Sequence, residues 1–290
     1  MNFNKIIYNT DSGIATITLN EPEKLNPLSE DRMEEVDRAL TEAENDDDIR
    51  VIIIKGAGRT FSAGHDLREA YTIYEDPVKS GQKKRRPSQR AKLYHDVGKT
   101  AQEWRHLVYC WKPTIAQVHG YCIEGALYLS VFCDITIAAE DAKLGFQAQR
   151  LTGASGITWV TPHMMYLVGP KIMRELYLTG RLVSGKEAEK IGLVNRAVPA
   201  DKLEREVKDI AETICQQPRD GIAMGKAFTM LAYERMGIGE GLTQGGIGHT
   251  LYTNVRFEED EFNFLKGRKD DGLSETFKKS SDRNKKEDKN

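Results

Sequence analysis

The stretch that decides the fold runs from Lys112 to Phe146 and reads KPTIAQVHGYCIEGALYLSVFCDITIAAEDAKLGF. Thr114–Val118 is a strand candidate, and Ile135–Ala139 is a second one. Between them a glycine-bearing turn leads into Ala126–Phe132, an apolar segment long enough for a short buried helix. Upstream, Val51–Ile54 is a continuous apolar run, the pattern of a strand covered on both faces. Further back, Ala15, Ile17 and Leu19 alternate with Thr16 and Thr18, as in a half-buried strand. Ser29 is placed to cap a helix in which Met33, Val36, Leu40 and Ala43 recur at helical spacing, before the polar, acidic run from Asn45 to Asp48. Strand and helix alternate through the first two-thirds of the chain, which predicts an α/β fold. From Lys171 onward the pattern is mainly helical, with Leu203–Ile214 the clearest case.

Composition narrows the function classes. The chain has 290 residues, enough to bury a substantial core, and is 39% hydrophobic and 30% charged. Its net charge of −2 argues against a dedicated nucleic-acid binder, but leaves room for an anionic small molecule held by a few local cations. Cys110, Cys122, Cys133 and Cys215 have neither metal-site spacing nor disulfide density, so four free thiols are expected. The first residues lack a basic segment followed by a long apolar run. No apolar stretch approaches the ~20 residues that span a bilayer. A soluble, cytoplasmic protein is expected, with no partnership with nucleic acid or membrane.

The segment from Tyr71 to Gln102 interrupts the alternation. It carries Lys83, Lys84, Arg85, Arg86, Arg90 and Lys92. It reads as a solvated surface insertion or as a basic lid over a phosphorylated ligand. The organisation expected is a core over 1–200 containing the insertion 71–102, a helical region over 201–275, and a disordered polar tail over 276–290.

Two glycine turns follow strands. One is Phe61-Ser62-Ala63-Gly64-His65-Asp66-Leu67, and the other is Val118-His119-Gly120-Tyr121-Cys122-Ile123-Glu124-Gly125-Ala126. Each offers backbone N–H groups with no strand partner, and the second opens the expected helix. Two such groups converging on one oxygen would form an oxyanion hole.

In this order and spacing, the chain resembles the crotonase family, the enoyl-CoA hydratase/isomerase superfamily, from about Ile14 to about Lys269. The resemblance is carried by IATITLNEPEKLNPLS, VIIIKGAGRTFSAGHDL, the stretch quoted first, and LYLTGRLVSGKEAEKIGLVNRAVP. It implies a crotonase-like spiral of ββα units with a helical C-terminal trimerisation region, assembled as homotrimers or hexamers. It implies acyl-CoA substrates, with coenzyme A entering as part of the substrate and no separate cofactor or metal. It assigns the hole to the N–H groups of His65 and Gly125, and puts Ala63, Asp66 and Leu67 of the same turn at the substrate. Asp66 also reads as a residue tying the turn down. Phe264, Lys266, Arg268 and Lys269 resemble the terminal helix that meets the nucleotide end of CoA.

The chain departs from the family at two positions. Hydratases of the family use two glutamates to activate water. The matching positions here are Tyr128 and, depending on a one-residue gap, Ala148 or Gln149. Tyrosine is a poor base and a workable proton donor, and Gln149 orients water without accepting its proton. Glu124 stands inside the glycine-rich turn, one helical turn before Tyr128. Glu124 as base and Tyr128 as acid are therefore the expected pair. Trp159 is expected as a core or pocket-wall aromatic, and His163 at the surface or one layer behind the site. The expected reaction is a lyase or isomerase step through a thioester enolate: hydration or dehydration, double-bond migration, or decarboxylation. A thioester or carbon–carbon bond hydrolase, and a catalytically silent acyl-CoA binder, are the alternatives.

Overall fold

The computed structural model describes residues 2–66, 88–151, 159–252 and 257–284. Strands β1 (Ile6–Asp11) and β2 (Ile14–Leu19) form a hairpin. Helix α1 (Glu30–Asn45) follows, and the Arg32 N–H bonds the Ser29 side chain as the capping pattern predicts. After it come β3 (Val51–Gly56), β4 (Thr114–Val118), β6 (Ile135–Ala139) and β9 (Arg196–Val198). These make one six-stranded sheet in the order β1-β2-β3-β4-β6-β9, parallel from β2 onward. β3 and β4 are almost wholly buried because helices pack against them. That second sheet pairs β5 (Tyr121–Ile123), β7 (Lys143–Gly145) and β8 (Leu182–Ser184). Helix α4 (Gly125–Phe132) lies between β5 and β6 and is buried along its whole length.

The residues from 89 to 108 are helical: α2 (Gln89–His95), a wide π turn (Asp96–Thr100) and α3 (Ala101–Val108). Lys92 is not a solvated cation here. It is 7% exposed and ion-paired to Asp96, which is fully buried. Lys83, Lys84, Arg85 and Arg86 lie outside the described residues.

The one-turn α5 (Ala148–Leu151) precedes α6 (Thr161–Thr179), which is broken at Gly169–Pro170. Then come α7 (Gly185–Lys190), α8 (Leu203–Cys215), α9 (Arg219–Arg235) and α10 (Ile238–Leu251). The chain closes with α11 (Phe264–Asp271) and α12 (Leu273–Asn284). Residues 276–284 are thus helical instead of irregular. Thr276 and Ser280 are buried, and the Phe264 and Phe277 rings pack at 4.9 Å, so this polar sequence still has one face to bury. Among the described residues no helix is long and apolar enough to cross a membrane.

Asn26 ties the first glycine turn to this frame. It is fully buried with φ +50, a conformation asparagine accepts more readily than most residues. Its amide donates to the carbonyls of Ala57, Thr60 and Phe61 at 2.8, 2.9 and 3.2 Å and accepts from the Glu21 N–H at 2.9 Å. Asn26→Ala leaves these groups without their partner. It should lower unfolding free energy by about 3 kcal/mol, read by urea denaturation.

Candidate active site

The two glycine turns lie side by side. Ser62 N–H bonds the Tyr121 carbonyl at 2.9 Å, Ile123 N–H bonds the Ser62 carbonyl at 3.4 Å, and Ser62 pairs with Cys122 as in a parallel sheet. Gly64 has φ +85, and a Cβ there would stand 2.4 Å from the Ile123 carbonyl oxygen, so only glycine lets the turns approach this closely. On the other side, Leu28 N–H bonds the Gly64 carbonyl at 2.7 Å and Asp66 N–H bonds the Leu28 carbonyl at 3.1 Å. In extended chain, successive amides face opposite ways. Leu28 therefore takes the groups flanking His65 and leaves the His65 N–H directed away, toward the second turn. That N–H has no protein partner among the described residues.

Gly125 is the first residue of α4, and its N–H is likewise unpartnered among the described residues. The His65 ring lies over Gly125: a Cβ on Gly125 would be 2.9 Å from the ring Cε1. Burial, then the nearby His249 and Lys92 charges, push the His65 pKa down to about 4, so its imidazole is neutral at pH 7. Two backbone donors unpartnered among the described residues, one of them at a helix N-terminus, suit an oxygen that carries negative charge.

Glu124 precedes Gly125 in a backbone conformation (φ +53, ψ −120) that favours glycine. Its carboxylate is buried and accepts the Ala148 N–H at 2.5 Å. Burial raises its pKa to about 7, against the lowering effect of hydrogen bonds from the Ala148 and Gln147 backbone and the Tyr128 side chain. The Tyr128 ring is boxed by His65 at 5.9 Å, Trp104 at 5.9 Å, Phe146 at 6.2 Å and Trp159 at 6.3 Å. The expected pair is thus brought together in low dielectric, with a carboxyl able to hold or release a proton near neutrality.

Other expected residues fall elsewhere. Gln149 is exposed on α5, and it is the backbone N–H of its neighbour Ala148 that reaches the site. Trp159 is buried, and its Nε1 has no partner among the described residues. Asp66 is buried behind Leu28, and Ala63 is held by its N–H to the Leu25 carbonyl at 2.9 Å. Leu67 lies outside the described residues. Phe264 is fully buried in the terminal helix pair, packed on Phe262 and Phe277, and so presents no open face to a nucleotide. Lys266 is exposed on α11; the Lys269 side chain lies outside the described residues. His163 is buried, not superficial, because its ring fills the gap between Phe132 and Tyr233 at 5.0 and 5.5 Å. Burial lowers its pKa to about 4.

Sequence reasoning missed a further group. Asp96, on the π turn, bonds His249 Nδ1 at 3.1 Å, the Thr250 hydroxyl at 2.8 Å and Lys92 Nζ at 2.8 Å. The His249 ring packs on Trp159 at 4.6 Å. The available signal was the glycine spacing of α10. A Cβ on Gly245 would meet Trp159 at 2.6 Å, and one on Gly246 would meet the Asp96 carbonyl oxygen at 2.9 Å.

The fold and the paired turns define an enzyme of the crotonase class. The chain belongs to the enoyl-CoA hydratase/isomerase family, whose model matches residues 9–244. It is 35% identical over 243 residues to the Mycobacterium bovis protein named "Probable enoyl-CoA hydratase echA8", covering 83% of this chain and 87% of that one. It is 30% identical to the short-chain-enoyl-CoA hydratase of Clostridium acetobutylicum, covering 83% and 90%. The crystal structure of an enoyl-CoA hydratase/isomerase from Xanthobacter autotrophicus Py2 superposes with a TM-score of 0.80 at 31% identity, covering 97% of this chain and 99% of that one.

The buried carboxyl has a measurable signature. Between about pH 4.5 and pH 7 the unfolded chain has released the Glu124 proton and the folded chain retains it. This group therefore lowers folding stability as pH rises through that window and adds no slope above it. Glu124→Gln should remove that contribution, on the order of 3 kcal/mol, when denaturation curves at pH 4.5 and pH 8 are compared with those of the unaltered protein.

Proposed function

We propose that the chain acts on acyl-CoA thioesters by moving a proton at the carbon beside the thioester carbonyl, with Glu124 as the proton-transfer group. The carbonyl oxygen is received by the His65 and Gly125 N–H groups. The Glu124 carboxylate takes the α-proton, and the C–H electron pair moves into an enolate whose oxygen rests on those donors. Returning the proton at the γ-carbon migrates the double bond, whereas release of the β-hydroxyl as water, its second proton drawn from solvent, completes dehydration. The reverse steps protonate the α-carbon. Tyr128 steadies the Glu124 carboxylate through its hydroxyl. Coenzyme A is part of the substrate in this reading, and no other cofactor is required.

The observation that carries the reading is a buried carboxyl with a pKa raised to about 7, one residue from an N–H that is unpartnered among the described residues. Such a group is half ionised at neutral pH and serves as acid and base in one turnover. The relatives named enoyl-CoA hydratase support the thioester. We further propose assembly as trimers or dimers of trimers through the C-terminal helices. Met224, Phe228 and Leu231 support this, since they follow one face of α9 and are 59%, 72% and 61% exposed in the single chain.

A mass-spectrometric screen tests the reading with linear enoyl, cyclic dienoyl, aromatic acrylyl, 2-carboxyacyl and cyclic β-oxo thioesters of CoA. Gain or loss of water, or exchange of the α-proton for deuterium, is expected. Glu124→Gln should slow exchange by about 10²-fold or more, and Tyr128→Phe by less. Release of free CoA from a β-oxo substrate would point to a hydrolase instead. Calorimetric binding with no product or exchange would indicate a silent binder.

A further inference from the structure

Glu124 and Tyr128 leave one part of a hydration reaction without a residue. Adding water across an enoyl thioester needs a proton at the α-carbon, which Glu124 can supply. It also needs a group that takes the proton of the attacking water. The Trp159 ring packs near both Tyr128, at 6.3 Å, and a second candidate, His249, at 4.6 Å.

Three features set His249 apart from the other histidines. Its Nδ1 is held 3.1 Å from the Asp96 carboxylate. Its Nε2 has no partner among the described residues, and the side chain keeps 24% of its surface open. It also lies close enough to His65 that a proton on its ring would lower the His65 pKa, and the His65 backbone N–H is one of the two donors unpartnered among the described residues. By contrast, both nitrogens of His95 face carboxylates, Asp96 at 3.4 Å and Glu30 at 3.3 Å, both nitrogens of His106 are engaged by Asp37 and Glu44, and His163 is sealed among aromatic rings.

We propose that His249 is a second proton-transfer group of this site, oriented by Asp96, and that it takes the proton from water added to the β-carbon of an enoyl thioester. The proposal rests on the reading of Glu124 given above.

Asp96 is suited to the positioning role. Burial opposes its ionisation, but hydrogen bonds from His249 and His95 and the charge of Lys92 outweigh burial and keep it ionised. An ionised Asp96 accepts the Nδ1 proton, which leaves a lone pair on Nε2. Burial lowers the His249 pKa against the pull of Asp96, while Lys92 and His95 add to the lowering, so the neutral base form is present at pH 7. In the step itself, a water O–H bond breaks, its proton goes to Nε2, and its oxygen bonds the β-carbon. The π electrons pass to the enolate oxygen. Glu124 then gives its proton to the α-carbon. His249 returns its proton to solvent and Glu124 takes one up, so the net change is addition of one water.

The test uses the full-length chain and separates the two groups. Hydration of but-2-enoyl-, cyclohex-1-enecarbonyl- and cinnamoyl-CoA is measured beside deuterium exchange at the α-carbon of the matching saturated thioesters. His249→Ala should lose hydration by about 10²-fold or more with exchange retained, and added imidazole should restore hydration in proportion to its free-base form. Asp96→Asn should lower kcat for hydration while KM and exchange hold. Hydration by His249→Ala within threefold of the unaltered chain would overturn the proposal. So would hydration and exchange falling together without imidazole rescue, or an unaltered chain that exchanges deuterium yet hydrates none of the three. Failure of the Glu124 reading shows separately, as exchange that persists in Glu124→Gln.

Discussion

The bond from the Leu28 N–H to the Gly64 carbonyl, with its companion from the Asp66 N–H to the Leu28 carbonyl, dictates where the His65 N–H points. A buried amide is ordinarily paired, and here the paired ones decide which is left over. Asn26 holds the start of the turn, Ser62 pairs with Cys122, and Gly64 allows the contact with Ile123. The same pairing seats Gly125 at the head of a helix, where its N–H has no partner within the helix. Neither donor needs a special side chain. Both follow from how two chain segments divide their hydrogen bonds.

Around those donors the charged groups are treated in two ways. Asp96 is buried with Lys92, His95, His249 and Thr250 about it, so its charge is compensated and persistent. Glu124 is buried with hydrogen bonds and no cation among the causes of its shift, so its charge is conditional. A carboxylate that stays ionised gathers cations, while one whose charge is conditional does without them. The positive φ at Glu124 fits this division. A residue held in a costly backbone conformation at the mouth of a helix places its side chain where a relaxed turn would not.

Much of the fold was legible because periodicity is local. β2, α1, β3, β4, β6 and α8 all follow from alternation, apolar runs or caps. The paired turns were legible because glycine marks them, and so was the proximity of Glu124 and Tyr128, four residues apart on one helical turn. The helical run from 89 to 108 was not legible, because its cations hid Lys92, whose burial depends on Asp96. Asp96 and His249 lie 153 residues apart, and no spacing rule joins them. The terminal hairpin misled in both directions. Its polar composition concealed a buried face, and Phe264 went to the inside of that face instead of to an open surface.

The glycines of α10 bear on more than packing. Gly239, Gly241, Gly245, Gly246 and Gly248 make up five of its fourteen residues. At about 1 kcal/mol each relative to alanine, the segment gives up about 5 kcal/mol of intrinsic helical preference. It is therefore a conditional helix, formed because Trp159, Pro162 and Asp96 lie where a bulkier residue would not fit. Local opening of this one segment would carry His249 away from Asp96 while the sheet stayed intact. The pairing of His249 with Asp96 thus answers to the stability of this helix as well as to that of the sheet.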